Sequence, residues 1–136
     1  MDIVIDANIL FAILIKSGDT EQLLYQEDLR IYAPEFLFEE FLKYKNLIIQ
    51  KTQRTEKEFK DILETIKKKI ILVPNEETNI FIKEAEKISP DKKDTDYFAI
   101  ALKLHCPLWS NDKQLKNQDT IKIYTTAEIR KLFYYE

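Results

Sequence analysis

Ile3-Val4-Ile5-Asp6-Ala7-Asn8 opens the chain with a short apolar run that an aspartate ends. Such a run reads as a buried strand. Asn8 to Ile15 then reads as a helix, with a break at Ser17-Gly18-Asp19. The alternation continues to the end of the chain. Thr20 to Gln26 is a short helix capped by Asp19 or Thr20, and Leu29 to Ala33 is a second strand. Pro34 suits the first position of a helix. From Glu35 the apolar residues Phe36, Leu37, Phe41, Tyr44, Leu47 and Ile48 recur at helical spacing. Thr55 and Glu58 form a capping box for a further helix to about Lys69. Ile70 to Val73 is the third strand, stopped by Pro74, and a helix spans about Thr78 to Ile88. Asp94 to Leu104 is helical, Pro107 to Ser110 is a short strand and Ile121 to Tyr124 the last one. Thr126 caps a terminal helix through Tyr134. Strands alternating with helices predict an α/β fold: one three-layer α/β/α domain around a mainly parallel sheet of about five strands.

Composition agrees with one domain. The chain has 136 residues, 45% of them hydrophobic, which suffices for a single core. Its one glycine, Gly18, favours regular elements over a loop-rich sandwich. A lone cysteine, Cys106, forms no internal disulfide and fits a reducing cytoplasm. No apolar run approaches the ~20 residues that cross a bilayer, and no basic N-terminal region suggests a signal peptide, so no membrane partner is expected. The net charge of −3 argues against a dedicated nucleic-acid binder. That objection weakens if several acids share a metal pocket, because bound cations reverse the local field.

In open parallel sheets, ligands bind beyond the carboxyl ends of the strands. Asp6 directly follows the first strand. Asp112 lies two residues after the fourth, in Trp109-Ser110-Asn111-Asp112. Glu40 lies on the helix after the second strand, and Asp94 starts the helix that feeds the fourth. Singly, each acid has an ordinary structural role open to it: Asp6 as a helix cap, Glu40 as a solvated residue, Asp94 as a favoured helix N-terminal acid, Asp112 as a turn residue. Together they converge on one edge of the sheet. Like charges a few ångströms apart do not all stay ionised without a cation between them. Carboxylate oxygens suit Mg²⁺ or Mn²⁺, and the reaction class that follows is phosphodiester hydrolysis by a metal-activated water. No Cys or His cluster competes as a ligand set.

These segments also resemble a known family. Ile3-Val4-Ile5-Asp6-Ala7-Asn8 looks like the opening strand of the PIN-domain family, and Pro34-Glu35-Phe36-Leu37-Phe38-Glu39-Glu40 resembles its second motif, whose acid precedes an apolar residue. Asp94-Thr95-Asp96-Tyr97-Phe98-Ala99-Ile100-Ala101 matches the third motif and Trp109-Ser110-Asn111-Asp112 the fourth. Order and spacing agree over nearly the whole chain. The resemblance implies a metal-dependent ribonuclease with Asp6, Glu40, Asp94 and Asp112 as catalytic and metal-holding acids. It further implies an RNA substrate, often a VapC-like toxin role beside an antitoxin protein, and often a homodimer.

Finer assignments complete the expectation. Glu40 is preferred over Glu39 because Leu37 and Phe41 set the buried face around it. Asp96 supports the metal through water, and Asn8 and Ser110 hydrogen-bond the acids from outside. Lys113 and Lys116, beside Asp112, are placed to meet phosphate. Lys43, Lys45, Lys51, Arg54, Lys57 and Lys60 read as a solvated face, or else as a phosphate-contacting arm. His105 reads as a helix C-terminal residue, Cys106 as buried and inert, and Phe133, Tyr134 and Tyr135 as packing of the last helix. An aspartyl phosphatase would need an acid where Asn8 stands, and a receiver domain would need paired acids at the first strand. A non-catalytic PIN-like interaction module and a processing nuclease unrelated to toxins stay open as alternatives.

Overall fold

The computed structural model describes residues 1–15 and 19–134. Among them, five strands form one all-parallel sheet: β1 (Asp2–Ile5), β2 (Arg30–Pro34), β3 (Ile70–Val73), β4 (Leu108–Trp109) and β5 (Ile123–Tyr124), in the order β3-β2-β1-β4-β5. Ile3 pairs with Ile31 on one side of β1, and Ile5 pairs with Trp109 on the other. β1 is therefore central, which is why its apolar run shows no alternation: Ile3, Val4 and Ile5 are all fully buried. Ile3 and Ile5 enter a core shared with α1 (Ala7–Ile15), α3 (Leu37–Lys43), α4 (Lys45–Thr52), α5 (Glu56–Lys69) and α9 (Thr126–Tyr134). Val4 points the opposite way, toward α7 (Ile82–Ile88) and α8 (Thr95–Leu104). The remaining helices are α2 (Asp19–Leu24) and the single turn α6 (Asn75–Thr78). The result is the expected three-layer α/β/α arrangement.

Chain order reverses beside β1. The strands run outward through β2 to β3 and then return to β1's other side as β4 and β5. Such a reversal opens a crevice at the carboxyl ends of the two strands flanking it, β1 and β4.

Several boundaries depart from the sequence reading. Pro34 does not start a helix; it ends β2 opposite Val73. The helix begins at Leu37, because the Glu35 carboxylate is turned away to accept the Asn75 N–H, 3.1 Å, at the head of α6. The expected single helix from Glu35 is split at Tyr44, whose N–H bonds back only three residues to Phe41. Its ring stands edge-on to Phe11 at 5.7 Å. The segment near 78–88 is likewise two helices, α6 and α7, joined by a 3₁₀ turn over Asn79–Phe81. The last strand starts at Ile123, not Ile121: the Gln118 amide takes up both the N–H and the C=O of Ile121, each at 2.8 Å. The α9 capping residue is Thr125, not Thr126. Thr125 Oγ1 accepts the Glu128 N–H and Glu128 Oε1 accepts the Thr125 N–H, while the Thr126 hydroxyl accepts from Trp109 and Asn111. α2 starts at Asp19, so the expected caps Asp19 and Thr20 fall inside the helix, while the break residues Ser17 and Gly18 lie outside the described residues.

The Thr55–Glu58 capping box forms as read. So does the helix-terminal role of His105, which closes α8 at φ 52°, and Gln53 closes α4 at φ 58°. Both take the left-handed conformation that glycine adopts most easily. Cys106 is buried, and burial pushes its thiol up to about 12. Phe133 packs on the core, Tyr134 is exposed, and Tyr135 lies outside the described residues. Among the described residues no helix is long and apolar enough to cross a membrane.

Candidate active site

The crevice between β1 and β4 is built from Asp6 outward. Hydrogen bonding between the two strands carries straight into it, since Asp6 N–H donates to Trp109 O at 3.0 Å. Asp6 is 6% exposed, an unusual position for a carboxylate, and both its oxygens are satisfied locally. Oδ1 accepts the Asn8 N–H at 3.2 Å, which caps α1, and Oδ2 accepts the Ser110 hydroxyl at 2.7 Å. Ser110 is fully buried, and its oxygen accepts the Asp112 N–H at 3.1 Å. One hydroxyl thus links the acid after β1 to the loop after β4, 104 positions apart in sequence. Asp112 itself is exposed and accepts the Gln114 N–H at 3.0 Å, which starts the 3₁₀ turn Lys113–Lys116.

Asp94 stands at the N-cap position of α8, yet its side chain makes no capping bond. Burial, then the charges of Asp6, Asp91 and Asp112, push its carboxyl up to about 6, with Lys93 pulling the other way. Those neighbours place it beside the Asp6–Ser110–Asp112 chain. Glu40, half-buried on α3, turns its Oε1 to Lys43 at 3.2 Å, whereas Glu39 is exposed. Leu37, Phe38 and Phe41 form the buried face of this helix.

Among the described residues, no three His, Cys, Asp or Glu side chains gather tightly enough to hold an ion in this arrangement. Glu40 accepts instead from Lys43, and Asp112 from the Gln114 N–H. The donor chemistry nonetheless suits a hard divalent ion, being all carboxylate oxygen, with Asp94 carrying a carboxyl that its neighbours disfavour in charged form.

A family model described as PIN domain matches residues 4–132. The chain belongs to the PIN-domain family. No curated protein matches it. This PIN domain has a nuclease-type fold, and PIN domains in general are nucleases that use divalent metal ions.

Other expected residues take varied places in the PIN domain. Asn8 is exposed and serves Asp6 through its backbone. Asp96 lines a groove of about 430 Å³ with Ile82, Glu86, Ser89, Lys92 and Thr95, and burial raises its carboxyl. Lys113 is exposed beside Asp112. Lys116 is engaged by Glu128 at 2.7 Å. Arg54, in the basic stretch, donates to the Leu14 carbonyl at the end of α1.

Two residues at the site were not anticipated. Asp91, an extended residue that caps the 3₁₀ turn Lys92–Asp94, is a third acid acting on Asp94 beside Asp6 and Asp112. Tyr97 follows Asp94 by one turn, is buried, and stands edge-on to Phe36 at 6.3 Å. Burial, followed by Asp6, Asp94 and Glu40, drives its hydroxyl far above the ordinary tyrosine range, opposed by the Ala7 N–H. Tyr97 lies one helical turn after Asp94 and could have been found by that spacing, whereas Asp91 is an extended residue ahead of the 3₁₀ turn and no spacing marks it.

Proposed function

We propose that this PIN domain is a divalent-metal-dependent endoribonuclease that hydrolyses single-stranded RNA. The observation that carries the reading is the buried Asp6, fixed by Ser110 at the β1/β4 crevice, with the uncommitted carboxyl of Asp94 close enough to feel its charge. Asp6, Glu40, Asp94 and Asp112 would hold Mg²⁺ or Mn²⁺. When bound, the ion supplies charge neutralisation at phosphate and a water acidic enough to attack near neutral pH. The chain's own residues do the rest. Ser110 orients Asp6 and ties it to the Asp112 loop. Tyr97 walls the site with an aromatic face and stays un-ionised. Lys113, exposed beside Asp112, offers a cation to the RNA backbone.

The test is cleavage of single-stranded RNA in Mn²⁺ or Mg²⁺, with chelator abolishing the parent's activity. Asp6→Asn and Asp94→Asn should each abolish cutting while the protein stays folded, and the metal should raise the parent's melting temperature but not the variants'. Undiminished cutting by Asp6→Asn would overturn the mechanism. Lys113→Ala should instead weaken binding and reduce its salt slope by about one. We also propose a toxin role with an antitoxin protein as partner; growth arrest on expression, relieved by co-expressing a small reading frame found adjacent to this one, tests it, and expression without arrest counts against it.

A second reading, a non-catalytic interaction module, draws on one observation: Glu40 and Asp112 are each taken up by partners of their own. It is separated from the first by the same thermal scan, since an inert pocket leaves the midpoint unchanged in metal and in chelator.

A further inference from the structure

Asp96 stands two positions beyond Asp94, and residues two apart on a helix do not face the same way. Asp94 has Asp6, Asp91 and Asp112 as its acidic neighbours, and Asp96 is not among them. It opens instead on the groove of about 430 Å³ between α7 and α8, with Ile82, Glu86, Ser89, Lys92 and Thr95. Thr95 follows Asp94 directly, so the groove adjoins the acidic crevice. Its volume lies in the range of small-ligand sites. Ser89 commits its hydroxyl to the Asp91 carbonyl. Among the described residues, the side chains of Glu86, Lys92, Thr95 and Asp96 make no hydrogen bond or ion pair. Thr95 and Asp96 are half-buried, while Glu86 and Lys92 are exposed.

Those four side chains select a ligand by its chemistry. The two carboxylates only accept, the ammonium only donates, and the hydroxyl does either. Ile82 adds an apolar wall. Two carboxylates repel a phosphate, so the part of a nucleotide that fits is its neutral base. Single-stranded RNA offers its bases unpaired, with their Watson–Crick edges free. On that edge guanine alone presents two neighbouring donors, N1–H and the 2-amino group, with the acceptor O6 beside them. Adenine and cytosine each set an acceptor next to their amino group, and uracil has one N–H between two carbonyls. Resting on the ribonuclease reading, we propose that the groove receives a guanine of the RNA strand next to the bond that is cut. Asp96 and Glu86 accept from N1–H and the 2-amino group, and Lys92 donates to O6. Hydrogen bonds to charged partners are the stronger kind, so this edge is read with discrimination.

Titration with the four ribonucleoside monophosphates in chelator, followed by amide NMR shifts, tests the groove without metal or cutting. The phosphate is common to all four, so a difference among them reports the base. Guanosine monophosphate should shift the groove residues and bind roughly ten-fold or more tightly than the other three. Inosine monophosphate, which lacks the 2-amino group, should fall to their level. Glu86→Gln with Lys92→Ala changes exposed side chains only and should erase the preference. On RNA of mixed sequence in Mn²⁺, the parent's cuts should lie beside guanine, and the double variant should cut without that preference. Equal binding of all four nucleotides overturns the proposal, as do shifts confined to another surface, such as that around Lys113. Cutting indifferent to guanine also overturns it and leaves the ribonuclease reading standing. Guanine-selective shifts in a chain that cuts no RNA uphold the groove and count against the ribonuclease reading.

Discussion

Ser110 has no charge, yet its hydroxyl ties together two segments far apart in the chain. It donates to Asp6 Oδ2 at 2.7 Å and accepts from the Asp112 backbone. Removing it with Ser110→Ala leaves a buried carboxylate short of a donor, which costs about 1–3 kcal/mol. Urea unfolding should show that loss, and the melting-temperature rise in Mn²⁺ should shrink with it, since Asp6 is no longer oriented. A full-sized metal response in the alanine variant would mean that Ser110 serves stability alone. Gln53 makes the opposite case. Its left-handed backbone at the end of α4 carries a steric cost that glycine avoids, so Gln53→Gly should stabilise by about 0.5–1 kcal/mol despite the looser unfolded chain. Destabilisation by that variant would show that the side chain makes a compensating contact. Gly18 as sole glycine suggested few left-handed positions; among the described residues two non-glycine positions take that conformation, Gln53 and His105.

At the scale of the element, the capping of α9 carries a pH dependence. The Lys116 hydrogen bond, then that from the Thr125 N–H, lowers the Glu128 carboxyl from 4.5 to about 2. An acid with a lowered folded pKa adds stability above its unfolded value and loses it as pH falls toward the folded one. Glu128→Gln should therefore be less stable than the parent by about 1 kcal/mol or less at neutral pH. The gap should close between pH 4.5 and about 2. A gap that persists at pH 2 would assign the effect to shape and not charge. This element also marks where sequence stops being legible. Thr125 and Thr126 are both good caps, and only Glu128 at the right offset separates them. Pro34 fits a strand end as well as a helix start; a carboxylate 40 positions from its partner, Glu35 with Asn75, settled it. Local spacing carried the strands and most helices, while contacts across the sheet set their ends.

The whole molecule was more legible than its parts. Apolar runs at Ile3–Ile5, Ile31–Ala33 and Ile70–Val73, alternating with helices, leave little choice beyond a parallel sheet with both faces covered. Asp6, Asp94 and Asp112 could be picked out because each sits at a strand or helix end. Asp91 could not, since it lies in an extended stretch before α8 whose path only the fold sets, and Tyr97 could be found only by its one-turn offset from Asp94. The reversal of chain order at β1 has a temporal consequence as well. Asp6 leaves the ribosome 104 residues ahead of Ser110, and β1 lacks one of its two neighbours until β4 is made. Pairing over such separations comes late in folding. A chain halted before Leu108 should give no metal-dependent rise in thermal stability, and any such rise would place the acids' assembly in the N-terminal portion alone. The crevice thus exists only once β4 has been made, and chains halted short of it are kept without it.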